Sequence, residues 1–302
     1  MILPEAGIRH VSVIVPSYHN WKRLALLLES LERQSYPAEA FEVIVVNNDP
    51  DDAPPASLQL ASNTLMLTEE RPGSYAARNA GLEVAKGEVL LFTDSDCIAD
   101  PDWVRAAVAH LEAHREIARI GGRIDIEKSS CPTVADVYEA AFAFPQEKYV
   151  GQGWGPTANM GAWRRVIEAV GLFDETHYSG GDKDWGLRAE AAGFPIGFAE
   201  RMTVTHPPRA LGEILRKRRR ISGAMLNREI AAQGRSRLVP GYVLKILKRF
   251  LPPTRQIGQL TRVQGHPAHL KLAAYFFIWW MRIDIEIARG RVLLLGAEPE
   301  RR

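Results

Sequence analysis

Two carboxylates one residue apart, Asp94 and Asp96, come directly after an apolar run in the stretch LLFTDSDC of residues 90–97. Like charges this close repel each other, and they persist most readily where a cation or a row of hydrogen-bond donors lies between them. On an extended segment residues i and i+2 share a face, so both side chains point the same way. Mg²⁺ and Mn²⁺ are commonly held by one or two carboxylates together with substrate phosphates. The pair therefore predicts a cation that bridges a diphosphate.

Two other β-branched apolar runs, VSVIV (11–15) and FEVIVV (41–46), also end in polar residues. The residues that follow these runs are Pro16, Ser17, Tyr18, Asn47 and Asn48. The carboxyl ends of parallel strands lie at one edge of a sheet, and open α/β sheets bind their ligands there. We therefore expect these residues and the acidic pair to form one site.

A glycine-rich phosphate loop is absent from the sequence, which contains neither G-x-G-x-x-G nor G-x-x-x-x-G-K-[ST]. Without such a loop, a diphosphate needs a metal ion. Asp-x-Asp after a strand is also typical of phosphatases of the haloacid dehalogenase type. There we expect it near the first strand, followed two residues later by Thr or Val. Here the motif follows the fourth predicted strand and Ile98 comes after Cys97, which disfavours a phosphatase.

The elements that must position these residues alternate along the first half of the chain. Strands are predicted at 11–15, 41–46, 64–67 and 88–93, and helices at 20–34, 74–85 and from Pro101, with Asp100 as its N-cap. Residues 145–162, rich in Gly, Pro and Trp, are predicted to be a loop that frames the site, with helices at 164–169 and after Gly181. This alternation predicts an α/β fold with a parallel sheet.

Charge divides the 302-residue chain in two. Residues 207–302 contain 20 Lys and Arg against 6 Asp and Glu, whereas residues 1–206 contain 18 against 30. This division predicts cation-assisted chemistry in the first part and an anionic surface for the second. No apolar run of 18 residues is present, so we expect no membrane span. Cys97 and Cys131 are expected to be reduced structural thiols of a cytoplasmic protein.

Together with PGSYAARNAG (72–81), the segments VSVIVPSYHN, VIVVNND and LLFTDSDC form a pattern over residues 9–206 that resembles the family 2 glycosyltransferases of the GT-A fold. The resemblance implies a mostly parallel twisted sheet flanked by helices, with 1–206 as the catalytic domain and 207–302 as a basic helical extension. It implies transfer of a hexose from a nucleotide-diphosphate sugar, expected to be UDP-linked, by one in-line displacement with inversion. The acceptor is expected to be a hydroxyl of a growing glycan or a lipid-linked sugar.

The resemblance assigns the donor side of the site residue by residue. Pro16, Ser17 and Tyr18 match the segment that packs against the nucleotide base and ribose. Asn47 and Asn48 fall where the family usually has Asp-Asp. An amide can still pair with a uracil edge, because it both donates and accepts.

Charged residues are assigned around the diphosphate in the same way. Arg71 and Arg78 match basic positions near the nucleotide. Asp94 matches the ribose or sugar contact, and Asp96 matches the metal ligand. Many members have an additional metal or diphosphate ligand at the position of His206, although a lone histidine can also be structural. The expected cofactor is Mn²⁺ or Mg²⁺, held by Asp96 with Asp94 and His206 as further candidates.

The segment GGDKDWGLR (180–188) resembles the family's Gly-Glu-Asp-x-Asp segment, with Gly181 in place of the Glu. The central Asp of that segment is the general base, and Asp182 is its match. Asp184 is the rival. Arg188 lies four residues after Asp184, which is ideal spacing for a helical ion pair, so we favour Asp182.

The acceptor side is the least specific part of the pattern. NMGAW (159–163) resembles the acceptor-side wall of the site, and Asn159 begins it. Trp154 and Trp163 either stack on sugar rings or pack in the core or a lid.

The C-terminal extension has two features that suit an anionic membrane surface. RKRRR (216–220) lies in a predicted helix at 211–232, and an apolar segment at 272–281 contains Trp279 and Trp280. We expect attraction to lipid headgroups and peripheral attachment at the inner face of the cell membrane. The basic run can instead be a solvated face or meet the diphosphate, and the apolar helix can dock on the catalytic domain or a partner chain. No nucleic-acid partner is expected, since no fold or interleaved aromatic pattern supports one.

Two other classes of function stay open. A nucleotidyltransferase also binds a nucleotide and a metal on such a sheet, but it usually has a Gly-rich basic loop after the first strand, unlike PSYHN (16–20). Loss of both Asp182 and Asp184 would favour a catalytically silent nucleotide-sugar-binding scaffold. Both are present, and the departure at Gly181 keeps this alternative open.

Overall fold

The computed structural model describes residues 8–177, 179–234, 242 and 247–295. The chain divides into two compact units. One comprises Met1–Asp125 and Pro145–Pro207, and the other comprises Ile126–Phe144 and Pro208–Arg302. The predicted roles of 1–206 as catalytic domain and 207–302 as extension stay predictions, and the second unit also takes in 126–144.

The first unit is built on one sheet of eight strands, in the order β3-β2-β1-β4-β7-β6-β8-β5. The strands are β1 (Val11–Ser17), β2 (Phe41–Asn47), β3 (Thr64–Thr68), β4 (Val89–Thr93), β5 (Ile98–Ala99), β6 (Arg119–Ile126), β7 (Asn159–Trp163) and β8 (Ile196–His206). The helices of the chain are α1 (Trp21–Glu32), α2 (Ser74–Val84), α3 (Trp103–Ala113), α4 (Val134–Phe142), α5 (Gln146–Val150), α6 (Arg164–Val170), α7 (Gly181–Ala191), α8 (Leu211–Gln233), α9 (Thr254–Arg262) and α10 (Ala268–Leu295). The predicted α/β class is confirmed.

The first four strands form a parallel block, β3-β2-β1-β4. The core strands β1 and β4 are buried throughout, as their β-branched and apolar composition predicts. The register pairs Ser17 with Asn47, so the ends of β1 and β2 lie side by side. Helix α2 packs closely on this block, because Gly81 has no side chain: a Cβ there would lie 2.8 Å from Cγ2 of Ile14.

The helix predicted from Pro101 begins two residues later, at Trp103. The cause is a local turn at Asp100. Its carboxylate accepts a hydrogen bond from the backbone N–H of Asp102 at 3.1 Å, and its carbonyl accepts one from Trp103 at 2.9 Å. Asp102 therefore takes the N-cap position predicted for Asp100.

The predicted loop at 145–162 is wrong, because it contains α5 and nearly all of β7. Strand β7 is antiparallel to both β4 and β6 and lies between them. Its register places Asn159 opposite Thr93 and Trp163 opposite Val89. Trp163 therefore lies at the other end of β4 from the acidic pair, because Val89 precedes Asp94 by five residues, about 17 Å of extended chain. Its side chain packs against the core cluster of the sheet, which favours the alternative of core packing. Stacking of Trp163 on a sugar stays a prediction.

Asn159 bonds within the protein, and its predicted place in the acceptor wall stays a prediction. The side chain is fully buried. Its amide donates to the carbonyls of Arg123 and Met202, at 2.7 and 2.8 Å, and accepts from Nε1 of Trp103 at 2.9 Å. It thus joins β7 to β6, β8 and α3, and these bonds use both amide hydrogens and the oxygen.

The second unit contains α4, α8, α9 and α10. The apolar run of α10 is partly buried, since Ala274, Ile278 and Met281 pack in a cluster with residues of the other helices. Among ion pairs inside this unit, Arg219 bonds Asp284 at 2.5 Å. Within the residues the structure describes, no helix is long and apolar enough to cross a membrane.

Replacing Asn159 with Ala should destabilise the protein by about 2–4 kcal/mol. The change removes the acceptor of the buried Trp103 Nε1 and the side-chain donors to two carbonyls, and it opens a small cavity. Urea unfolding measures this loss. A stability within experimental error of wild type would contradict the structural role.

Candidate active site

The acidic pair lies in the turn between β4 and β5. The backbone N–H of Cys97 donates to the carbonyl of Asp94 at 3.1 Å, which closes the turn. Strand β5 then pairs antiparallel with the end of β8, with Ile98 opposite Thr205. This register brings the next residue of β8, His206, beside Asp96, at 3.4 Å between Nε2 and Oδ2.

Asp94, Asp96 and His206 form one cluster of metal-ligating groups. One ligand atom from each lies within 4.8 Å of the others. His206 is buried, and its Nδ1 lies 2.6 Å from the carbonyl of Pro207. A carbonyl only accepts, so Nδ1 donates there and Nε2 is the nitrogen aimed at Asp96. Two carboxylates and an oriented imidazole are donors that suit a divalent cation.

A buried cation, Arg78, stands beside the cluster. Its Nη2 donates to Oδ1 of Asp94 at 2.6 Å, and its Nη1 donates to the carbonyl of Ser74 at 3.2 Å. Its guanidinium also lies over the ring of Tyr75, 5.7 Å from the centroid. Arg78 thus fixes the orientation of Asp94 and supplies positive charge where a diphosphate is predicted to bind.

Asp182 lies in the first turn of α7. Its Oδ1 accepts from the backbone N–H of Lys183 at 2.9 Å and from the hydroxyl of Tyr75 at 3.4 Å. Burial is the main cause that raises the pKa of this carboxyl, and the nearby carboxylate of Asp94 raises it further. A raised pKa makes the ionised carboxylate a better proton acceptor, as a general base requires.

Asp184 has a different environment. Its Oδ2 lies 3.1 Å from Nε of Arg188, so the helical ion pair expected from the spacing is present. His177 lies 4.0 Å away on its other side. A carboxylate that is occupied by these contacts is a weaker candidate for a base than Asp182.

The amides of Asn47 and Asn48 bond within the protein. Asn47 donates to the carbonyls of Asp49 and Asp52 at 2.8 and 2.9 Å. Asn48 donates to the carbonyls of Glu69 and Arg71 at 2.9 and 2.7 Å and accepts from Gly73 at 2.7 Å. These bonds shape the loops after β2 and β3. Reading of a uracil by either amide stays a prediction, and it would compete with these bonds.

The rest of the predicted donor side lies at the same edge. Ser17 is buried, and its Oγ has no hydrogen-bond partner among the described residues. Tyr18 follows Pro16 and Ser17 out of the sheet and is 60% exposed. Arg71 is exposed and bonds Glu69 and Glu175. A buried unpaired hydroxyl and an exposed aromatic ring suit a ligand, while the individual roles stay predictions.

Trp154 packs against α7, unlike Trp163, which lies at the far end of β4. Its ring is 4.2 Å from that of Tyr149, and the ammonium of Lys183 lies 5.8 Å from its centroid. Nε1 of Trp154 is buried and without a partner in the described part of the chain. Its place near Lys183 keeps the predicted acceptor-side role open.

Sequence reasoning missed Tyr75. It is the second residue of α2, and its hydroxyl contacts Asp182, which lies more than one hundred residues away in the chain. The signal was its presence in PGSYAARNAG, but nothing in that segment shows which distant residue the hydroxyl meets.

Replacing Asp182 with Asn should stabilise the protein at neutral pH. Because its pKa is raised by folding, the ionised carboxylate costs stability, and that cost appears as pH rises through the folded-state pKa. Asn keeps the shape and an oxygen for Lys183. We expect a higher unfolding midpoint for the variant at pH 7 and a smaller difference below about pH 3.9, the ordinary value for Asp. A variant less stable than wild type at pH 7 would contradict this.

Comparison with known proteins agrees with this geometry. Residues 12–136 match the family model described as Glycosyl transferase family 2. The chain is 30% identical over 297 residues to "Glycosyltransferase AglE" of Haloferax volcanii, which covers 95% of this chain and 97% of that protein. It is 34% identical over 108 residues to "Poly(ribitol-phosphate) beta-N-acetylglucosaminyltransferase TarS" of Staphylococcus aureus, covering 34% of this chain and 19% of that one.

Solved structures share the fold. The structure of S. aureus TarS 1-349 in complex with UDP aligns with a TM-score of 0.53 at 19% identity, covering 95% of this chain and 92% of that one. Mannosyltransferase PcManGT from Pyrobaculum calidifontis, in complex with GDP-Man and Mn²⁺, aligns with a TM-score of 0.53 at 16% identity, covering 98% and 78%. The near full-length match to AglE decides the family: the chain is an enzyme that belongs to the family 2 glycosyltransferases, with the GT-A fold.

Proposed function

We propose that this enzyme transfers a sugar from a nucleotide-diphosphate sugar to a hydroxyl of a glycan or lipid-linked acceptor, with inversion at the anomeric carbon. The observation that carries the proposal is the arrangement of Asp94, Asp96 and His206 in one cluster, with Arg78 on Asp94 and Asp182 close by. UDP is the proposed nucleotide, because a related structure, that of TarS, is a complex with UDP.

A divalent cation, Mn²⁺ or Mg²⁺, would be held by Asp94, Asp96 and His206. The structure of PcManGT in complex with GDP-Man and Mn²⁺ supports a metal in this fold. When bound, the cation would offset the negative charge of the departing diphosphate. Arg78 would add a second positive charge and keep Asp94 turned toward the cluster.

Asp182 would take the proton from the acceptor hydroxyl as that oxygen attacks the anomeric carbon. Its place at the N-terminus of α7 and its bond to Lys183 N–H hold the carboxylate in one direction. One displacement, with the base opposite the leaving diphosphate, inverts the configuration. A positioned base of this kind contributes about 10²- to 10⁴-fold in rate.

We expect metal-dependent release of nucleoside diphosphate when the protein is incubated with UDP- and GDP-sugars and Mn²⁺, and loss of release with a chelator. Asp96→Ala should abolish the metal dependence along with activity. Asp182→Asn should lower kcat about 10²-fold or more while donor binding persists. The matched control is Asp184→Asn, which removes the other carboxylate in the first turn of α7 and should retain most activity.

Other outcomes decide between the alternatives. Nucleotide-sugar binding without release would favour a catalytically silent scaffold. Release of pyrophosphate from a nucleoside triphosphate and a sugar phosphate would favour a nucleotidyltransferase. Loss of activity in Asp184→Asn but not in Asp182→Asn would transfer the role of base to Asp184.

We further propose that the C-terminal part, residues 207–302, attaches the enzyme to anionic lipid at the inner face of the cell membrane. Leu272, Phe276 and Trp280, four residues apart on one face of α10, are 58%, 53% and 51% exposed. Such a stripe in a segment with 20 Lys and Arg against 6 Asp and Glu suits an interfacial helix. This location would place the enzyme near a lipid-linked acceptor.

Exchange of Leu272, Phe276 and Trp280 for Ser should weaken cosedimentation with vesicles that contain anionic lipid by about tenfold or more. The matched control exchanges Leu26 and Leu65, exposed apolar residues of the first unit, for Ser and should bind as wild type does. Equal binding of wild type to neutral and anionic vesicles would contradict the role of charge. Unchanged binding of the triple variant would contradict the role of the stripe.

A further inference from the structure

Tyr75 connects the start of α2 with the start of α7. Its side chain is 7% exposed, and its ring stacks on Phe173 with centroids 5.8 Å apart and planes 28° apart. Its hydroxyl lies 2.9 Å from the backbone nitrogen of Gly181 and 3.4 Å from Oδ1 of Asp182. A buried ring held on one side by an aromatic neighbour thus delivers a single polar atom to the first turn of α7.

The direction of the hydroxyl proton follows from these two contacts. The first N–H groups of a helix have no partner inside the helix, and an N–H only donates. The oxygen of Tyr75 therefore accepts from Gly181 and donates its own proton to Asp182. Burial raises the pKa of Tyr75, so the hydroxyl keeps this proton at working pH.

Gly181 makes this contact possible. A Cβ at this position would lie 2.7 Å from Cε2 and 2.9 Å from Cζ of the Tyr75 ring, far inside normal contact distance. Residue 181 can therefore carry no side chain while the ring stays in place. The glycine and the tyrosine are complementary in shape at the base of α7.

We propose that Tyr75 is a positioning residue for Asp182. Through its hydroxyl, Tyr75 holds the carboxylate of Asp182, the proposed general base, toward the acceptor. This rests on the proposed function. The other groups that face Asp182 are the backbone N–H of Lys183 on α7, Arg78 on α2 and the carboxylate of Asp94 after β4. Among the described residues, the carboxylate accepts two hydrogen bonds, and the one from outside α7 comes from Tyr75.

The test is Tyr75→Phe, which keeps the ring and its stacking and removes only the oxygen. With Mn²⁺ and the nucleotide sugar that the donor panel selects, and with water as acceptor, we expect kcat to fall about tenfold while KM for the donor changes less than about twofold. The acid limb of the kcat profile should move to higher pH, because a hydrogen bond that favours the ionised carboxylate is lost. The unfolding midpoint is measured alongside.

A double-mutant cycle separates this inference from the proposed function. If Tyr75 acts through Asp182, adding Tyr75→Phe to Asp182→Asn costs no further activity. An unchanged kcat and acid limb in Tyr75→Phe, with Asp182→Asn inactive, would overturn the inference and leave the proposed function standing. Wild type that releases no nucleoside diphosphate from any donor would instead overturn the proposed function.

The shape complementarity has its own check. Gly181→Ala should lower kcat, because its Cβ displaces the Tyr75 ring. In a Tyr75→Ala background, the same exchange should cost little. Full activity of Gly181→Ala, or an equal loss in both backgrounds, would show that the ring does not hold this place against α7.

Discussion

Crowding of carboxylates at one edge of the sheet is the constraint on which the site depends. Asp94 and Asp96 lie one residue apart, and Asp182 is near enough to Asp94 for its pKa to be raised by that charge. Such an arrangement costs stability unless positive charge and donors lie among the carboxylates. Arg78, buried against Asp94, supplies part of that compensation. A cation held by Asp94, Asp96 and His206 would supply further positive charge.

Polar groups of the scaffold around this edge bond one another. Asn48 uses both its donor hydrogens and its oxygen on loops that follow β2 and β3. Asn159 does the same for β6, β8 and α3. Polar groups satisfied in this way hold the elements that carry them at fixed positions, and those elements border the carboxylates of the candidate site. The buried Ser17 hydroxyl at the same edge differs, since it has no hydrogen-bond partner in the part of the chain that the structure describes.

Helix α7 carries two carboxylates in different environments. Asp184 bonds Arg188 one turn later and supports the helix locally. Asp182 lies two residues earlier, and its burial raises the pKa of its carboxyl. The departure from the family's pattern at Gly181 has a physical reason here, because the Tyr75 ring lies where a side chain would begin. Two carboxylates in one helical turn thus have different surroundings, which is the reason for proposing different roles for them.

The sequence by itself determined the features that depend on near neighbours. The runs at 11–15, 41–46 and 88–93 became strands because their composition suits a doubly covered sheet. The Asp184–Arg188 pair followed from helical spacing alone. The motifs at the strand ends, together with PGSYAARNAG (72–81), were likewise enough to identify the family.

Only the tertiary structure decided what depends on register between distant segments. Local composition at 145–162 indicated a loop, yet β7 adds antiparallel to β4, which moves Trp163 away from the site and buries Asn159. The pairing of β5 with β8 places His206 beside Asp96. The meeting of Tyr75 with Gly181 likewise depends on how α2 and α7 pack. Such contacts arise from the closing of long chain segments, and no local periodicity encodes them.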